Sequence, residues 1–264
     1  MGPIRPSVPP KPRAPDAGSI PAPAAVSKRE GAGSGPAWAW PLLTALVACV
    51  PFFRGLSLTN VFHVRDLSMF FWPRHLWIRE SLLRGVAPWW DPYAAGGQPV
   101  YPDALNQLFL LPVALFRVAL PAIVGFNLMV VTPFPLAGLG AWLFLRRHFS
   151  PVSAAIAAVV FAVSGPVVST SNFPNMSWSI AWIPWMLWAA ERDRHEPSAR
   201  NLAILSLVAA GQVLSGEPVT MAGTVALVLA YVTCCAGDER PRRGPLVAAG
   251  RCLAGATRRR RDVV

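Results

Sequence analysis

Long apolar segments separated by short polar loops restrict what this sequence can fold into. Hydrophobic residues make up 53% of the chain and charged residues only 14%, well below the share of about a quarter that is charged in soluble domains. The 24 residues from 122 to 145 reach about 36 Å as a helix, enough to cross a hydrocarbon core of about 30 Å. The apolar segments are 37–53, 108–120, 122–145, 152–170, 173–190, 199–214 and 220–236. The predicted fold class is all-α, a polytopic membrane protein.

The placement of basic residues predicts the side on which each loop lies, because Lys and Arg favour cytoplasmic loops. Segment 108–120 reaches only about 20 Å and contains Arg117, so we expect it not to span. Without it, most of the 24 Lys and Arg residues fall on one side, and the opposite loops 171–175 and 215–219 contain none. This pattern predicts about six transmembrane helices, a cytoplasmic N-terminus and a long first outer loop, 54–107, with short interfacial helices.

The rest of the organisation follows from composition. Residues 1–36 are rich in Pro, Ala, Gly and Ser and are predicted to be a disordered cytoplasmic tail. Residues 37–236 form the predicted membrane domain, and 237–264 a basic cytoplasmic tail. The net charge of +11 comes from basic residues that lie between the apolar segments and at the two ends of the chain. This placement is typical of membrane topology and predicts no nucleic-acid partner. The four cysteines lack metal-ligand spacing, so no metal site is predicted.

The predicted spans contain no Asp, Glu, Lys or Arg, which disfavours a proton-driven transporter or an ion channel. Chemistry or binding is therefore expected at the outer rim. Asp66 precedes an apolar segment, where it can either take part in chemistry or cap a helix. Arg65 and Arg74 can donate to an anionic ligand, or they can contact lipid headgroups.

Further polar residues of the outer loops are candidates for ligand binding. Asp91 precedes Pro92, a pattern that favours a structural turn. Gly96 and Gly97 mark a tight turn in which backbone N–H groups can approach a ligand. Asp103 is a second candidate for a helix cap, and Glu217 is either a ligand-binding group or an ordinary solvated carboxylate.

A run of motifs in the long loop resembles the first outer loop of bacterial YfhO-like membrane proteins, relatives of the GT-C glycosyltransferases. The run consists of Asp66, Gly85, Pro88, Trp89-Trp90-Asp91-Pro92-Tyr93, Gly96-Gly97 and Pro99. The likeness continues through Gly138 and Gly140, residues 161–165, Asn175, residues 182–185, Glu191-Arg192 and Gly216-Glu217-Pro218. It covers about residues 38–236 of this chain.

The resemblance implies a glycosyltransferase in the bacterial inner (plasma) membrane. Such an enzyme would take a sugar from a polyprenyl-phosphate donor and transfer it to a cell-envelope acceptor on the outer face. Asp66 matches the acidic residue that commonly acts as base in the first outer loop of GT-C enzymes. The resemblance implies membrane lipid as a partner and no cofactor, and the sequence leaves a requirement for a divalent metal open.

The chain is shorter than the resemblance implies, because further spans and a soluble outer domain would be expected after the sixth span. We therefore also expect that the sequence is a fragment of a longer protein or a short relative. The alternative function is that of a non-catalytic membrane protein, whether a truncated remnant, an accessory subunit or a lipid-handling subunit.

Overall fold

The computed structural model describes residues 38–56, 59–62 and 64–235, and this part of the chain is mostly helical, as predicted. The predicted tails, 1–36 and 237–264, lie outside the described residues. The α-helices are α1 (Ala39–Cys49), α2 (Trp72–Leu83), α3 (Leu111–Ala119), α4 (Ala122–Val131), α5 (Pro133–Leu145), α6 (Pro151–Ala162), α7 (Gly165–Ser169), α8 (Pro174–His195), α9 (Ala199–Leu214) and α10 (Pro218–Cys235). Short 3-10 helices cover Val50–Leu56, Ala104–Asn106 and Thr170–Asn172, and strands β1 (Trp90–Asp91) and β2 (Gln98–Pro99) pair antiparallel.

Each apolar segment of the sequence coincides with one or two helices. Two helical stretches, Ala122–Leu145 and Pro151–Asn172, are long and apolar enough to cross a membrane by length and composition. The first consists of α4 and α5, and the second of α6, α7 and the 3-10 helix after them. Helix α8 differs from the prediction, because it continues past Ala190 to His195 and carries charged residues in its last turns.

The packing of α8 against α4 and α5 depends on a proline. Pro133 has no N–H group, so the carbonyl of Met129, four residues earlier, lacks its usual partner within the helix. The indole of Trp178 donates to this carbonyl at 2.9 Å. Seven residues further along each stretch, Trp185 donates to the carbonyl of Leu136, also at 2.9 Å. Two indole hydrogen bonds, two helical turns apart, thus fix the register of α8.

Glycines allow these tryptophans to lie close to the neighbouring helices. A Cβ atom at Gly140 of α5 would lie 2.5 Å from Cδ1 of Trp185, and one at Gly211 of α9 would lie 2.7 Å from Cζ2 of Trp182. Contacts below about 3 Å do not occur between real Cβ atoms and their neighbours. Both glycines therefore provide the space that an indole ring fills.

Polar side chains are found inside the helix group, whereas many large apolar side chains face outward. Leu207 and Val219 are 74% and 77% exposed. In contrast, Gln212 is buried, and its Nε2 donates to the carbonyl of Ser179 at 3.1 Å and to Oγ1 of Thr224 at 2.7 Å. Interhelical bonds of this kind stabilise helix packing where the surroundings are apolar.

Polar contacts join distant parts of the chain at one end of the helix group. Gln107 Nε2 donates to the carbonyl of Ser215 at 3.2 Å, and Asn175 Nδ2 donates to Glu217 at 3.3 Å. We call this the loop end, defined by residues 104–107, 175 and 215–217. The sequence placed all three of these loops on the same side.

The opposite end, which we call the Glu191 end, is defined by the contacts of the buried Glu191 carboxylate. Arg194 donates to both of its oxygens at 3.2 Å, Tyr231 donates at 2.9 Å and His195 Nε2 lies at 2.7 Å. Burial alone would raise the pKa of Glu191, but the hydrogen bonds from Arg194, Tyr231 and His195 lower this pKa to about 2. The carboxylate therefore remains charged and fully paired.

We predict that Gly140→Ala lowers the free energy of unfolding by roughly 1–3 kcal/mol, because the new methyl group overlaps Trp185 and overpacks the contact. Gly223→Ala is the matched control, since a Cβ atom there meets nothing within 4 Å. The control is expected to be neutral or to stabilise α10 by up to about 1 kcal/mol. Thermal unfolding of the two purified variants measures the difference. Equal midpoints would show that Trp185 does not pack tightly against α5.

Candidate functional site

The segment that follows Arg65 is helical and packs against the bundle. A π-helical turn, Leu67–Phe71, continues into α2 without a break, whereas the sequence predicted two short helices. Leu67 and Phe71 are buried in one cluster with residues of α3, α4 and α8, including Trp178. Helix α2 ends at Leu83, and Gly85 shortly after it has a φ of +72°, the left-handed conformation that glycine favours at helix ends. The fold thus holds this part of the loop against the helices.

Asp66 lies at the start of this helical segment and is half-buried. It makes no side-chain capping hydrogen bond, so the structure does not support the alternative that it caps the helix. Within the described residues the Asp66 carboxylate has no hydrogen bond or ion pair. Arg65, beside it, is exposed and has a left-handed φ of +35°. The carboxylate is therefore available to a ligand.

Arg74 of α2 is held by the hairpin that follows. Its Nε lies 3.7 Å from Oδ2 of Asp91, and both side chains are buried. Oδ1 of Asp91 accepts from the N–H of Tyr93 at 2.9 Å, which confirms the predicted turn. Nη1 and Nη2 of Arg74 are buried and have no hydrogen-bond partner among the described residues. Asp91 thus orients a guanidinium group that retains two unused amino groups.

The glycine turn joins the two strands of the hairpin. Gly96 and Gly97 have φ of +78° and +108°, and the N–H of Gly97 donates to the carbonyl of Ala94 at 2.8 Å. A Cβ atom at Gly97 would lie 2.8 Å from Nε1 of Trp90, whereas one at Gly96 would meet nothing within 4 Å. Gly97 therefore serves the packing of the hairpin, and Gly96 is on the open side of the turn.

The two remaining candidates belong to the loop end. Oδ1 of Asp103 accepts from the N–H of Leu105 at 3.0 Å, so Asp103 caps the 3-10 helix that it precedes, as the structural alternative predicted. Glu217 is half-buried and accepts from Asn175. The turn after Asp103 packs directly on Gly216, where a side chain would overlap Ala104. The structure therefore brings Arg74 to Asp91 and the turn after Asp103 to Gly216, but no contact among the described residues links Asp66 to either place.

Two buried basic residues were not among the predicted site residues. His75 is fully buried, and Arg117 of α3 is 3% exposed. Burial, followed by the charge of Arg117, lowers the pKa of His75 to about 3, so the imidazole is neutral at physiological pH. Burial lowers the pKa of Arg117 to about 10, and its guanidinium stays charged. One signal was available in the sequence: Arg117 follows the buried Val113 by four residues and so shares its helical face.

No group of three His, Cys, Asp or Glu side chains that could hold a metal ion occurs in the described part of the chain. No protein-family model, curated protein or solved structure matches the sequence. The interpretation of the site therefore depends on the contacts described above and on the motifs of the outer loop.

We predict that Asp91→Asn lowers the free energy of unfolding by roughly 3 kcal/mol, because it leaves the buried Arg74 guanidinium without a carboxylate. The asparagine side chain keeps an oxygen that can accept from the N–H of Tyr93. The variant therefore tests the loss of the negative charge alone. In the double variant Arg74→Met/Asp91→Asn the loss should be clearly smaller than the sum of the single losses. Denaturant unfolding of the four proteins gives the coupling energy. Strictly additive losses would rule out an interaction between the two side chains.

Proposed function

We propose that this chain is a GT-C-like glycosyltransferase module of the bacterial plasma membrane, with Asp66 as base and Arg74 as a donor to the lipid phosphate. The observation that carries the proposal is that one helical segment bears both a half-buried carboxylate without a partner and a buried guanidinium with two unused amino groups. Asp91 balances the charge of Arg74 but leaves its two amino groups without acceptors, and buried donors without acceptors are costly.

The proposed reaction is a displacement at the anomeric carbon of the sugar. An acceptor hydroxyl attacks this carbon, Asp66 takes the hydroxyl proton, and the bond from the carbon to the prenyl phosphate oxygen breaks. The phosphate leaves with the bonding electrons, and Nη1 and Nη2 of Arg74 stabilise its charge. Nucleophile and leaving group lie on opposite sides of the reacting carbon. Asp66 and Arg74 are correspondingly separated by eight residues, about 12 Å along a helix.

The proposed topology has six membrane spans, a cytoplasmic N-terminus and the α2 hairpin region outside the cell. The two long apolar helical stretches, the exposed Leu and Val side chains and the buried polar contacts support a lipid environment. The meeting of residues 104–107, 175 and 215–217 at one end supports the predicted sidedness. A donor carried by a polyprenyl lipid would reach Asp66 from the outer leaflet.

The sidedness of the hairpin can be measured with single cysteines in a chain without its four native ones. Tyr93→Cys, at a position that is 86% exposed, is expected to react with a membrane-impermeant maleimide in intact cells. Phe149→Cys, next to the arginines at the opposite end, should react only after lysis. Labelling of Tyr93→Cys only after lysis would place the hairpin in the cytosol and remove the proposed donor from its reach.

We predict that Asp66→Asn abolishes sugar transfer, with a loss of roughly 100-fold or more, because it removes the base but preserves side-chain size. The assay follows label from a polyprenyl-phosphate sugar into the envelope fraction of membranes that contain the protein. The control is Glu80→Gln, since Glu80 is an exposed acid on the same segment and pairs only with Arg84 among the described residues. Transfer by Asp66→Asn at the wild-type rate would favour the alternative, a non-catalytic membrane protein.

A further inference from the structure

Three basic side chains converge where α2, α3 and α4 meet, and we call this cluster the arginine corner: His75, Arg79 and Arg117. Arg79 Nη2 donates to the carbonyl of Leu120, the residue that follows α3, at 3.2 Å. The ring of His75 lies edge-on to Phe126 of α4, with 5.4 Å between the centroids. Arg117 extends from α3 toward α4. Its positive charge helps to lower the pKa of His75.

The nitrogens of the arginine corner are largely unused. Nε and Nη1 of Arg117 and Nε of Arg79 are buried without a hydrogen-bond partner in the described part of the chain. The closest polar contact of Arg117 is Sδ of Met129 at 4.0 Å, which is a weak acceptor. Protein interiors satisfy nearly all such donors, so a group of them in one place requires an explanation.

The charge of the corner is equally unbalanced. It carries two guanidinium groups, and no carboxylate among the described residues pairs with either of them. A buried ionised group without a counter-ion is strongly disfavoured, and the removal of one partner from a buried pair is among the most destabilising changes known. An anionic ligand would supply both the missing charge and the missing acceptors.

We propose that the arginine corner binds a phosphate monoester group. A phosphate monoester carries about −1.5 to −2 charges near pH 7 and three acceptor oxygens, which matches two guanidinium charges and donors that arrive from α2 and α3. A carboxylate offers a single charge and two oxygens and would leave half of the positive charge uncompensated.

The source of the phosphate is either a lipid headgroup or free phosphate. Leu111 and Leu115 of α3 are 68% and 54% exposed, so an apolar chain attached to the phosphate has a surface along the same helix. The corner does not include Arg74, so it would bind a second phosphate, separate from the leaving group of the proposed reaction. The lipid identity of this ligand rests on the proposed function, whereas the phosphate chemistry rests on the corner alone. The packing of α2 against α3 shields these nitrogens from solvent.

The test uses the purified full-length chain and three probes: farnesyl phosphate, farnesol and inorganic phosphate. Farnesyl phosphate is expected to raise the unfolding midpoint of the wild type, and farnesol is not. Arg117→Met should weaken farnesyl phosphate binding by roughly tenfold or more, the effect of losing a charge-assisted pair. Arg147→Met, which removes an exposed arginine at the Glu191 end, should bind as the wild type does.

Each result decides the matter. Protection by inorganic phosphate equal to that by farnesyl phosphate identifies free phosphate as sufficient, and protection by farnesyl phosphate alone identifies the lipid; both support the site.

Without ligand, Arg117→Met should be at least as stable as the wild type, because it removes an unpaired buried charge. Loss of folding in this variant, unchanged binding, or equal protection by farnesol would overturn the proposal. A chain that binds through Arg117 but shows no sugar transfer keeps this site and loses only the proposed function.

Discussion

The rest of the structure depends on the contact between α8 and the helical stretch of α4 and α5. Pro133 leaves the carbonyl of Met129 without a helical donor, and such a group must be satisfied where water is excluded. Trp178 provides the hydrogen bond, and Trp185 repeats it two turns later over Gly140. Pro133 therefore leaves one carbonyl of its own helix without a donor. This carbonyl determines which residue of α8 must lie beside it.

The same tryptophan links the bundle to the candidate site. Trp178 is buried in the cluster that includes Leu67 and Phe71, so the π-helical turn and α2 are positioned by the α8 contact. Once α2 is fixed, Arg74 points toward the hairpin, and His75 points toward α4. The positions of Arg74 and His75 are thus a consequence of how the helices pack, rather than of the local sequence of the loop.

Local signals in the sequence predicted local structure well. Asp103 caps its helix and Asp91 forms its turn, since each depends only on residues within a few positions. The apolar segments likewise matched helices. The pair of Arg74 and Asp91 was not predicted, because it depends on how a hairpin folds back over 17 residues of chain. Arg117 was noted only as a reason against a membrane span, and its burial depends on α2 covering α3.

The buried network at the end of α8 was not predicted either, and it differs from the arginine corner in how its charges are balanced. Glu191, Arg194 and Tyr231 form a buried network in which the carboxylate receives donors on both oxygens. Such a network needs no ligand, because its charges are already compensated within the chain. Arg117 is just as buried but has no carboxylate to meet it. Within one protein, stability thus explains the buried charge at Glu191, and the proposed phosphate ligand would explain why the buried charge of Arg117 is retained.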